Sequence, residues 1–232
     1  MATLRVLSAG AAQAVSERMI DAFRRETGHE VIADFGAVGA MQERVKSGEA
    51  VDVIILTRAL IENLVQAQLI VPDSQIDLGT VGTGVAVRAG IAIPVIATAQ
   101  ALRGIILSAK SIVCPDPAIA TAGKIVMGLV EKLSVAAEAR ERLRFFPNGY
   151  AAMKWLAASG TADDLGITQV TEILPNNGVS YVGPLPDEFQ MKAVYSAGLA
   201  QHASEPALAR DFIGRYASPS ARALLIEAGY EL

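Results

Sequence analysis

The chain has 232 residues, 52% of them hydrophobic, with a formal net charge of −4. An acidic balance, no Lys/Arg run and only 5% aromatic residues exclude a nucleic-acid surface, which needs a basic stripe or a base-stacking face. The single cysteine, Cys114 in SIVCPD, excludes an internal disulfide and reads as a small buried hydrophobe.

The first eighty residues alternate strand and helix. LRVLSA is strand-like, and Val15, Met19 and Phe23 follow at helical spacing. Gly28, after Arg24 and Arg25, is a helix stop. EVIADF predicts a second strand, and AMQERVKS a helix ended by Gly48. VDVIIL is a continuous apolar run, the pattern of a strand covered on both faces. A helix from about Ala59, with Leu60, Leu64 and Val65 apolar, completes three strand–helix units. Such alternation predicts an α/β fold with a mostly parallel sheet.

From about Gly79 the texture changes. GTVGTGVAVRAG is glycine-rich and strand-like. AGIAIPVIATAQAL is the most apolar stretch, but it carries Gly90 and Pro94 and falls short of the roughly 18 residues that span a bilayer, so no direct membrane insertion is expected. Thr98 is placed to cap a helix through ALRGIIL, and SIVCPDP predicts a strand and turn. TAGKIVMGLVEKL predicts a helix with Thr121 at its N-cap, and NGYAAMKWLAAS another with Asn148 as cap. GITQVTEIL and VSYVGPLP follow, then a strand in KAVYSAGLA. Ser204 before Glu205-Pro206 and Ser218 before Pro219 mark two further helix starts. The glycines at 79–84 and Gly183 suggest a middle domain, residues 81–186, inserted between residues 1–80 and 187–232 of a first domain.

Two loops stand out. SAGAAQAV (8–15) and FGAVGAM (35–41) each follow a strand and open a helix on small side chains. A helix start offers unpaired N–H groups and the positive end of the dipole, and only Gly or Ala lets an anion approach them closely. Ser8, Gly10, Ala11 and Gly39 are therefore ligand-binding candidates. DPAIATAG and FPNGYAAM add Thr121, Ala122, Asn148 and Gly149 in the second half. Neither first loop has the spacing of a nucleotide-binding motif. Arg58, directly after VDVIILT, has the reach to hold a carboxylate by two hydrogen bonds. Ser8, Asp116, Lys124, Tyr150 and Glu172 are acid–base candidates, and His29 and His202 read as surface residues. No protein-ligated metal or cofactor is expected.

In order and spacing, these pieces, with the ending VGPLPDE…VYSAGLA…ARDFIGRYASPSARALLIEAGYE, resemble the substrate-binding proteins of molybdate-type ABC transporters, which have the type II periplasmic-binding-protein fold. The resemblance implies two α/β lobes joined by crossing hinge strands and closing over an anion. It also implies a monomer that partners the transporter's membrane subunits. It implies a periplasmic location if an export signal has been removed, and a cytoplasmic one otherwise. Molybdate binders of this family offer hydroxyls where this chain has Ala11 and Val38, and a tyrosine where it has Gln169 in GITQ. Their backbone donors fall at or beside Ala122 and Gly149. A buried oxyanion needs nearly every oxygen satisfied, so an organic acid is expected over molybdate. One branch of the family is similar to aconitate isomerase. There Arg58, Lys124 and the loop N–H groups would clamp a tricarboxylate while Ser8, Glu172 or Tyr150 moves a proton. A third reading is an effector-sensing domain.

Overall fold

The alternation in the first 66 residues becomes three strand–helix pairs: β1 (Thr3–Ala9) with α1 (Gln13–Thr27), β2 (Glu30–Gly36) with α2 (Val38–Lys46), and β3 (Val53–Thr57) with α3 (Arg58–Gln66). These belong to a computed structural model that describes all of residues 1–232. The chain divides into two units: Met1–Val81 with Ala193–Leu232, and Gly82–Lys192.

In the first unit, β4 (Ile76–Val81) and β10 (Ala193–Leu199) complete a sheet of order β2-β1-β3-β10-β4. β1 runs parallel to β2 and β3, while β10 is antiparallel to β3 and β4. The VIILT run of β3 is buried throughout, as expected of a central strand covered on both faces. Val15, Met19 and Phe23 of α1 face the core, where Phe23 meets Phe212 edge-on at 5.2 Å. Gly28, at φ 70°, ends α1 in the left-handed region that glycine enters most cheaply.

Helices α9 (Pro206–Gly214) and α10 (Pro219–Glu227) close the unit. Ser218 caps α10 through Ala221 N–H as its sequence pattern predicts. Ser204 departs from expectation: the N-cap of α9 is Glu205, and no side chain caps it. Ser204 donates instead, through its N–H and hydroxyl, to the buried carboxylate of Asp52 at 2.7 and 2.8 Å. Asp52 also accepts from Arg5 N–H at 2.7 Å, so one carboxylate ties β1 to the C-terminal segment. The competing acceptor outweighs the local cap.

The second unit contains β5 (Thr83–Arg88), α4 (Ala99–Ser108), β6 (Ser111–Pro115), α5 (Thr121–Lys132), α6 (Ala136–Arg140), β7 (Leu143–Phe146), α7 (Gly149–Ser159), β8 (Asp164–Gln169), α8 (Val170–Ile173) and β9 (Val179–Pro184). Its sheet has the order β7-β6-β8-β5-β9. β6 is parallel to β7 and β8, and β5 antiparallel to β8 and β9. Alternation along the strands sorts the core onto two faces. Val85, Val87, Leu165 and Ile167 pack with Ile125, Val126 and Leu129 of α5. Ala86 and Val113 pack with Ala152, Met153 and Leu156 of α7.

Thr98 and Asn148 cap α4 and α7 as expected. Thr121 does not cap α5: it is the first helical residue, Ala120 is the N-cap, and no side chain caps the helix. The glycine-rich, strand-like stretch forms the end of β4 and all of β5, which meet at Gly82 and enter different sheets. The short, partly exposed β7 has no sequence forecast, because LRFF lacks the alternation of a half-buried strand. Cys114 is buried on β6, and burial pushes its thiol up to about 12, consistent with an inert packing residue. No helix is long and apolar enough to cross a membrane.

Candidate functional site

Three helices of the first unit begin at the carboxyl ends of the neighbouring strands β1, β2 and β3, the edge where open α/β sheets bind ligands. Each begins bare: no side chain caps α1, α2 or α3, and none has an acidic residue in its first turn. The positive dipole ends are thus not offset by local carboxylates. A 3-10 turn, Gly10–Ala12, leads into α1. Ser8, Gly10, Ala11 and Val38 are buried, and Gly39 is half-buried. Ser8 directs its hydroxyl to Ala9 C=O at 3.2 Å.

Arg58 forms the two-point carboxylate contact that its position suggests, and its partner is the chain's own Asp77. Nε donates to Oδ1 at 3.1 Å and Nη2 donates to Oδ2. Ser196 also donates to Asp77, at 2.5 Å. Burial pushes the Asp77 carboxyl up, but the Arg58 and Ser196 hydrogen bonds hold it below the usual range. The pair lines a cavity of about 500 Å³ with Tyr216, Ser218, Arg222 and Leu225.

In the second unit α5 also starts bare, with no cap and no acidic residue in its first turn. Ala122 is buried there, Thr121 half-buried and Lys124 exposed. The start of α7 is the opposite case. Asn148 Oδ1 accepts from Ala151 N–H at 2.8 Å. Gly149 N–H donates to Glu172 Oε1 at 3.1 Å, and the Thr168 hydroxyl donates to Oε2 at 2.6 Å. The N–H groups of Tyr150 and Gln169 donate to the same carboxylate. Burial pushes the Glu172 carboxyl up, against the pull of these four donors. Only glycine fits at 149, because a Cβ would lie 2.0 Å from both Glu172 Oε2 and Thr168 Oγ1.

The family model of the bacterial extracellular solute-binding proteins matches residues 4–231. The chain belongs to this family. It is 26% identical, over 98% of its own length and 87% of the relative's, to a Pseudomonas protein named aconitate isomerase. Its structure is similar to the periplasmic molybdate-binding protein of Azotobacter vinelandii, with a TM-score of 0.78, 25% identity and 99% of each chain covered. The sulfate-binding protein SubI of Mycobacterium tuberculosis shares the fold at a TM-score of 0.75 and 16% identity, over 99% of this chain and 86% of that one.

In this solute-binding chain Ser8, Gly10, Ala11, Val38, Gly39 and Arg58 belong to the first unit, and Thr121, Ala122, Asn148, Gly149 and Gln169 to the second. Of the acid–base candidates, Tyr150 and Glu172 meet through the Tyr150 N–H, while Ser8 belongs to the other unit. Asp116 accepts from Ala118 N–H at 2.8 Å in the turn before α5. His29 Nδ1 accepts from Ala2 N–H at 3.1 Å, and His202 is exposed in a turn. Sequence reasoning missed Asp77, which occupies Arg58, and Thr168, which helps hold Glu172 at α7. Arg58 and Asp77 are 19 residues apart, and Thr168 and Glu172, only four apart, are brought together where β8 turns into α8, so no local motif marks either pairing.

Proposed function

We propose that the protein is a solute-binding protein that takes up a small anion at bare helix starts, of which the first unit offers α1 and α2 and the second unit offers α5. An organic acid is the preferred ligand over molybdate, and delivery is to the membrane subunits of an ABC transporter, with the protein acting as a periplasmic monomer. The observation that carries this is the absence of any side-chain cap or first-turn acid on α1 and α2, combined with Ala11 and Val38 at their openings. Helix-start N–H groups hold a carboxylate directly, and a buried tetrahedral oxyanion lacks here the side-chain hydroxyls that Ala11 and Val38 cannot supply. The experiment is a thermal-shift panel of molybdate, tungstate, sulfate, phosphate, citrate, cis-aconitate and trans-aconitate. A carboxylate at about 100 times its Kd adds roughly 2.7 kcal/mol, a shift of several degrees. A response to molybdate or tungstate alone overturns the preference.

A second reading is an aconitate-isomerase-like enzyme. It is favoured by the relative of that name, which matches 98% of this chain, and by a buried carboxyl, Glu172, whose proton affinity is raised. Moving a double bond along a tricarboxylate requires a proton to be taken from one carbon and returned to another. Glu172 and Tyr150, which meet within the second unit, are the candidates. Incubation with cis- or trans-aconitate, followed by proton NMR in D2O, tests this. Interconversion with deuterium uptake supports turnover, and unchanged spectra leave a binding protein.

A further inference from the structure

Thr83 is the first residue of β5, fully buried at 0% exposure. Its hydroxyl has no hydrogen-bond partner. A buried hydroxyl left unpaired costs about 1–3 kcal/mol, so its persistence calls for a reason. Its backbone is fully used: Thr83 N–H donates to Gln190 Oε1 at 2.8 Å, and Gln190 Nε2 donates back to Thr83 C=O at 2.9 Å. Only the side chain is unspent.

Strand pairing fixes where that hydroxyl stands. Thr83 lies opposite Gln169, the last residue of β8, in the antiparallel pair, so the two side chains share a face. Val85 and Ile167, two positions further along each strand, pack against α5. Thr83 is therefore on the α5 face, and β8 ends at the same end of the sheet where β6 hands over to α5. That helix begins bare. A positive helix start and an unpaired buried hydroxyl thus share one face and one end of a single unit, beside the buried Gln169.

We infer that Thr83 is a ligand-binding residue that determines specificity. It donates its hydroxyl to an anion's oxygen at the start of α5. The inference rests on the anion-binding reading above. The hydroxyl also accepts, so it suits a carboxylate that carries an adjacent hydroxyl group as well as a simple carboxylate.

The test uses the full chain as wild type, Thr83→Val and Thr83→Ser, with sulfate, molybdate, citrate, cis-aconitate and trans-aconitate as probes in thermal shift and calorimetric titration. Without ligand, Thr83→Val melts no lower than wild type, because valine fills the same space and removes an unpaired polar group. For each probe that stabilises wild type, Thr83→Val binds about tenfold more weakly and Thr83→Ser within about threefold. Thr83→Val melting several degrees lower without ligand overturns the inference, since the hydroxyl then serves the fold. Equal binding by wild type and Thr83→Val also overturns it, leaving the anion-binding reading intact. A wild type that responds to none of the five probes overturns that reading and this inference together.

Discussion

Gly149 N–H and Glu172 Oε1 stand 3.1 Å apart, so the start of α7 is neutralised by a carboxylate 23 residues along the chain. One helix start in the second unit is therefore saturated from within, while α5 is not. Burial raises the proton affinity of Glu172 above the ordinary carboxyl value of 4.5. A carboxyl raised on folding stabilises the fold fully below its unfolded value, and that contribution is lost as pH rises through the folded value. The stability of wild type relative to Glu172→Gln should accordingly be greatest near pH 4.5 and decline towards neutrality. Urea unfolding of both proteins across that range is the check, and a parallel pair of curves refutes it.

Gly149→Ala should be among the most damaging single substitutions in the second unit. The added Cβ would sit 2.0 Å from Thr168 Oγ1 and from Glu172 Oε2. Relief requires moving α7 or breaking the carboxylate cluster, at a cost of about 2–3 kcal/mol or more. Denaturant titration followed by the fluorescence of Trp155 on α7 would report it.

Placing hydroxyls at the bare starts of α1 and α2 should change the ligand. Ala11→Ser combined with Val38→Ser supplies the two side-chain donors that molybdate binders of this type offer. The double variant should show a larger molybdate-induced rise in melting temperature than wild type. Loss of the buried Val38 side chain costs about 1–2 kcal/mol without ligand. No gain of molybdate response would mean that these positions do not face the anion.

Arg58→Ala should cost little stability. The Arg58 and Asp77 side chains are 45% and 39% exposed, and pairs so placed contribute about 0.5 kcal/mol. Because its guanidinium is engaged by Asp77, the substitution should change carboxylate affinity less than twofold. A larger loss in calorimetric titration would show that Arg58 exchanges Asp77 for the ligand.

The parts of this molecule that read directly from the sequence are those governed by local pattern. The buried run of β3, the apolar stripe of α1 and its Gly28 stop follow from periodicity and backbone freedom, which neighbours in sequence decide. Thr98, Asn148 and Ser218 cap as expected because no stronger partner competes for them. Ser204 fails for the opposite reason, since Asp52, 152 residues away, captures it. The small-residue loops announce bare helix starts at α1 and α2, yet the same reasoning treats Gly149 alike and cannot see Glu172. Arg58 shows the same limit: its chemistry is legible, and its partner across β10 is not. Thr83 is invisible for a different reason. A threonine in a glycine-rich strand carries no signal until folding buries its hydroxyl without a partner.

The order of strands in the first sheet also bears on how the chain is made. β10, residues 193–199, lies between β3 and β4 and is the only strand beside β4. During synthesis from the N-terminus, β4 emerges with no neighbour to pair with, and β3 keeps an open edge until β10 arrives. By then all of Gly82–Lys192 has been made and can fold as a unit. The segment begun second is finished first, and the nascent first sheet carries two unsatisfied strand edges for the whole interval. Such edges are what chaperones bind and what misassembly exploits.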